Sequence, residues 1–174
     1  KSGGEAMFGQ WKKVKNCGFT LVEMIVVILI IGILTAAAII SFSTVARAKA
    51  NGCTEKLVKL LDQTRGDSMS RVEGAVKLVV EKKENAYYGT LFINDGTVKD
   101  EVKLGDGSLT IRFYLGDFLV SEIDDDSSFT IKYQKGNGAL FFDIEAPTFD
   151  RIVISGSNTR TIRIYKETGR YRLQ

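Results

Sequence analysis

The sequence predicts an α+β fold in which one long N-terminal helix carries an antiparallel β-rich head. Three observations carry this expectation. Phe19 to Ile40 is a run of 22 residues with a single charge, Glu23, and almost no other polar group. From Cys53 to Ser68, apolar and small residues recur every three or four positions, the period of a one-sided helix. From Ala75 the repeat falls to two, and glycine-containing turns punctuate it.

The elements follow in order. Residues 1–18 read as a basic leader. They hold four of the chain's 24 basic residues and one of its 21 acidic ones, leaving 20 against 20 in the rest, so the whole net charge of +3 sits here. A bilayer core of about 30 Å needs about 20 apolar helical residues, and 19–40 supplies them. Lys12, Lys13 and Lys15 ahead of that run hold its start in the cytoplasm. The chain then reads as single-pass, with its N-terminus inside and its head outside.

Residues 41–71 read as an amphipathic continuation of the helix. Its buried stripe is Cys53, Leu57, Leu60, Leu61, Thr64 and Ser68. The whole helix would run about 75–80 Å at 1.5 Å per residue. Gly52 and Gly66 are its weak points, with a break near Gly66 as an alternative.

The head, 72–174, reads as eight strands: 75–82, 85–93, 108–115, 128–134, 139–145, 151–155, 159–166 and 170–173. Its expected core is Leu78, Val80, Phe92, Ile111, Phe113, Ile131, Phe141, Ile144, Ile152, Ile154, Ile162 and Ile164.

A carboxylate inside an apolar span costs up to about 3 kcal/mol and calls for a partner. Neither an ordinary secretory signal peptide nor a plain signal anchor accounts for Glu23. The residues around it are Gly18-Phe19-Thr20-Leu21-Val22-Glu23, followed by an apolar run with Ile31-Gly32-Ile33-Leu34 inside it. This stretch resembles the N-terminal signal of type IV pilins and type II secretion pseudopilins. The resemblance implies cleavage between Gly18 and Phe19 by prepilin peptidase and N-methylation of Phe19. It also implies pairing of Glu23 with the Phe19 amine of the same or a neighbouring subunit during filament assembly. Further implied partners are other subunits, an assembly platform protein and the membrane. Many type IV pilins carry proline where this chain has Ile40, and Met7 would give a 12-residue leader, Met7 to Gly18. A long helix followed by a β-rich head is most similar to H-type minor pseudopilins.

The composition points away from enzymes. The chain has no histidine, which removes histidine bases, serine–histidine triads and most zinc sites. Its two cysteines are too few for a thiolate metal site. Cys53 lies on the apolar stripe and reads as a small buried hydrophobe; the alternative is an intermolecular disulfide, since the resemblance implies that Cys17 leaves with the leader. No cofactor is expected. The cluster Glu122, Asp124, Asp125 and Asp126 reads as a solvated loop. Calcium binding is the alternative, but the alternating ligands and glycine of an EF-hand are missing. Tyr87, Tyr88, Tyr133, Tyr165 and Tyr171 read as strand residues on sheet surfaces rather than a stacking platform for single-stranded DNA, and no nucleic-acid partner is expected. The competing function is a single-pass anchored or secreted β-rich binding protein, with an anchored enzyme third.

Overall fold

A computed structural model describes residues 19–71, 75–94, 96–125 and 127–174, with backbone alone for 37–46. The chain divides into two compact units, Lys1–Ile40 and Ser41–Gln174. Helix α1, Leu21–Ser70, contributes to both. It runs unbroken through Gly52 and Gly66, so the alternative break near Gly66 is not adopted; a Cβ at either glycine would meet open space.

The second unit holds two five-stranded antiparallel sheets. One has the order β3-β2-β1-β6-β7: β1 is Val76–Lys83, β2 Ala86–Ile93, β3 Thr97–Asp106, β6 Ser128–Tyr133 and β7 Leu140–Phe141. The other has the order β10-β9-β8-β4-β5: β4 is Thr110–Leu115, β5 Phe118–Glu122, β8 Arg151–Ser155, β9 Thr159–Ile164 and β10 Tyr171–Leu173. The fold is thus α+β with antiparallel sheets. Among the described residues it has ten strands where the sequence suggests eight; β3 and β5 are the additions.

The expected helix stripe is buried throughout, from Cys53 to Ser68, and Ala50 and Thr54 extend it. It packs into one core with Leu78, Val80, Ile111, Ile131, Ile152, Ile154, Ile162 and Ile164. An aromatic trio joins the two sheets. Phe113 of β4 stacks on Phe129 of β6 at 3.8 Å, and Phe149 meets both rings edge-on. Burying each such side chain fully is worth about 1.5–3 kcal/mol, so this cluster is a major source of the head's stability.

Three expected core residues lie elsewhere. Phe92 and Phe141 are half-buried, and Ile144 is fully exposed. The cause at Ile144 is a turn. The Asp143 carboxylate accepts the N–H groups of Glu145 at 2.9 Å and Ala146 at 2.8 Å, so β7 stops after two residues instead of reaching Glu145. Tyr87 and Tyr133 are also misplaced by the sequence reading: both are core residues, not surface ones.

Candidate functional site

The first unit is built around one helix start. Thr20 stands just ahead of α1; its hydroxyl accepts the N–H of Glu23 at 3.2 Å, and its carbonyl accepts the N–H of Met24 at 3.2 Å. Thr20 is therefore the N-cap and Glu23 the third helical residue. That position sets the carboxylate at the positive end of the helix dipole, in the turn where an acid is most favourable. Thr-x-x-Glu is also the spacing of a capping box, a signal in the sequence that the reading above did not use.

Phe19 lies one residue before the cap, outside the helix and 75% exposed. It precedes Glu23 by four residues, about one helical turn. Gly18, Cys17 and the basic leader lie outside the described residues.

Beyond the cap, every large apolar side chain from Leu21 to Leu34 is exposed within this unit. A contiguous apolar surface of this kind calls for a covering partner or a lipid environment. The helix satisfies its own polar side chain here: the Thr35 hydroxyl donates to the carbonyls of Ile31 and Gly32. Among the described residues, no helix is long and apolar enough to cross a membrane. The expected span continues to Ile40, past the last described side chain of this unit, Ala36.

Residues 13–39 match the prokaryotic N-terminal methylation motif. The chain carries the N-terminal signature of a pilin- or pseudopilin-like prepilin peptidase substrate. The matched residues include Phe19, the Thr20 cap and Glu23, and they stop before the head. No curated protein and no solved structure matches the chain.

In the second unit, polar ties fasten the helix to both sheets. Toward the first sheet, Lys49 pairs with Asp106 at 2.7 Å, Lys56 donates to the Lys103 carbonyl at 2.8 Å, and Asp67 pairs with Lys99. All three partners lie on β3. Toward the second sheet, Arg160 of β9 donates to Asn51 at 2.7 Å and Tyr171 of β10 donates to Asp62 at 2.8 Å. Arg65 reaches two loop carbonyls, Gly138 at 3.3 Å and Thr168 at 3.0 Å. Hydrogen bonds from Lys49 and Ser108 hold the Asp106 carboxyl down at about 2.

The acidic cluster engages cations of the protein itself. Glu122 holds Arg112 through two oxygens, at 2.8 and 3.3 Å, and Asp125 pairs with Lys82 at 2.9 Å. Asp126 lies outside the described residues. Among the described residues, no group of three or more His, Cys, Asp or Glu side chains is placed to hold a metal ion.

A second acidic pair escaped the sequence reading. The buried Lys132 ammonium lies 2.8 Å from Asp143 and 3.0 Å from Glu145. Burial disfavours its charge, but the two carboxylates outweigh burial and raise its pKa. Cys53 is a buried free thiol pushed up to about 12 by burial, against a smaller opposing effect of Lys56.

Proposed function

We propose that the chain is a structural subunit of a type IV pilus-like or type II secretion filament, and not an enzyme. Prepilin peptidase would cut between Gly18 and Phe19, and Phe19 would then be N-methylated. The apolar helix would hold the subunit in the cytoplasmic membrane with the head outside, until an assembly platform moves it into a periplasmic or extracellular filament. Neighbouring subunits would cover the apolar surface of Leu21–Leu34.

One observation carries this reading: Glu23, the single charge of the apolar run 19–40, sits in the first turn of α1, four residues from Phe19, inside the methylation motif. A buried charge is tolerable in such surroundings only when paired. The amine created at Phe19 supplies the partner. Methylation keeps that amine charged, so the pair survives the modification. The finer assignment, an H-type minor pseudopilin, is supported by the architecture of one long helix followed by a β-rich head.

Mass spectrometry of the N-terminus, from cells with and without prepilin peptidase, tests the reading. The expected product begins with methyl-Phe19 and forms only with the peptidase. A mature N-terminus near Ser41 would indicate ordinary signal peptidase and favour the competing view of a secreted β-rich binding protein.

A further inference from the structure

On the outer face of the second sheet, three arginines stand opposite one another on adjacent strands. Arg172 of β10 faces Arg163 of β9, and Arg163 faces Arg151 of β8. Their neighbours Ile152, Ile162 and Ile164 are buried, so strand alternation turns Arg151 and Arg163 away from the core. Tyr171 reaches inward to Asp62, which turns Arg172 outward as well. Directly opposed side chains have Cβ atoms about 4.5–5.5 Å apart, and like charges so placed repel. The row costs stability unless an anion lies among the guanidinium groups.

The protein's own groups answer this only in part. Arg151 donates to the Gly116 carbonyl, lies 3.7 Å from the Asp117 carboxylate and sits 5.1 Å over the Tyr114 ring. Its Nε is buried without an acceptor. Among the described residues, Arg163 and Arg172 have no ion-pair partner. Beside the row lies a cavity of about 370 Å³ lined by Gly116, Asp117, Asp150, Arg151, Arg163 and Gln174. Asp150 is already occupied, accepting the Gly116 N–H at 3.1 Å.

We propose that this row and its cavity bind a phosphodiester group. Guanidinium forks match the paired oxygens of such a group. Charge decides between phosphate types. Three arginines against Asp117 and Asp150 leave a single positive charge, which a diester neutralises and a dianionic monoester overshoots. Anionic lipid headgroups and free soluble diesters share this chemistry.

The test uses the full chain in neutral detergent. Three probes are titrated: glycerophosphoglycerol, inorganic phosphate, and micelles doped with phosphatidylglycerol. Saturable binding of glycerophosphoglycerol is expected, weakened at least about tenfold by Arg163→Gln and by Arg172→Gln. Both side chains are exposed, so both variants should melt at or above the wild-type temperature once repulsion is relieved. Arg163→Lys keeps the charge and loses the fork, and should weaken binding too. Tighter binding of doped micelles than of the soluble diester assigns the site to lipid, and equal affinity assigns it to soluble diesters. The proposal is overturned by absence of saturable diester binding, by equal affinity in wild type and both Gln variants, or by inorganic phosphate binding as tightly as the diester. Affinity for an oligonucleotide that grows with its length would overturn it in favour of nucleic acid.

Discussion

The hydroxyl of Tyr171 donates to the carboxylate of Asp62 at 2.8 Å, joining the last strand to a helix 109 residues earlier in the chain. A hydrogen bond to a charged group contributes about 1.5–3 kcal/mol. Tyr171→Phe should therefore lower stability by about 1–2 kcal/mol, with Asp62→Asn costing less because an amide oxygen still accepts. Denaturant titration of the single and double variants measures the coupling. Strictly additive effects would show that the pair does not interact.

Stability should fall in alkali. Burial, then the hydrogen bond to Asp62, pushes Tyr171 up to about 12, and burial pushes Cys53 to about 12. Both groups hold their protons more tightly in the folded chain than at their ordinary values of 10.0 and 9.0. Their contribution is complete below about pH 9 and is lost as the pH rises toward 12. Denaturation midpoints at pH 8, 10 and 11 should fall in that order, and less steeply in Tyr171→Phe and Cys53→Ala. A flat profile contradicts the assignment.

The β1–β2 hairpin turns on Glu84 and Asn85, with φ of 48° and 59°. Two positive angles in a two-residue loop define the turn that suits twisted strands, and asparagine tolerates them better than glutamate. Glu84→Asn should raise stability by about 0.5–1 kcal/mol. Thermal melting checks this; a drop would mean that the Glu84 side chain contributes something the turn geometry does not require.

Glu23 governs assembly in the proposed function. Removing one partner of a buried charge pair costs about 3–5 kcal/mol, so Glu23→Gln and Glu23→Leu should cut filament incorporation at least about tenfold. Folding of the head and cleavage at Gly18 should be unaffected. The ratio of assembled to membrane-resident subunit is the measurement. Full incorporation of both variants removes the intramembrane pair from the account.

Much of the fold was legible because burial leaves a period. The helix stripe from Cys53 to Ser68 and the isoleucines of β8 and β9 alternate as their surroundings demand. β3 was hidden because it is an edge strand: Lys99, Asp100, Glu101, Lys103 and Asp106 fill it, and Leu104 is its one fully buried side chain. Charge is how an edge avoids pairing with another chain, and it erases the hydrophobic signal. β5 was hidden for a related reason, since Phe118 and Leu119 are exposed on an edge strand of the second sheet. Ile144 shows the converse failure: an apolar residue in a plausible strand was lifted out by an aspartate turn. The Phe19–Glu23 segment was readable from its motif, but its N-cap was not read, although Thr20 stood three residues before Glu23. The arginine row depends on strand register, which no local pattern supplies.

The ties between helix and sheets have a mechanical consequence. From Lys49 to Asp67 they are spread over about 27 Å of helix axis and alternate between the two sheets. Each exposed ion pair is weak alone, worth about 0–1 kcal/mol. A pull along the axis, however, loads all of them side by side, as shear, together with the interlocked stripe from Cys53 to Ser68. Peeling the helix sideways would break them one at a time. The second unit is thus anchored most strongly against tension directed along its own helical segment from Lys49 to Asp67, and yields most easily to a force applied across that segment.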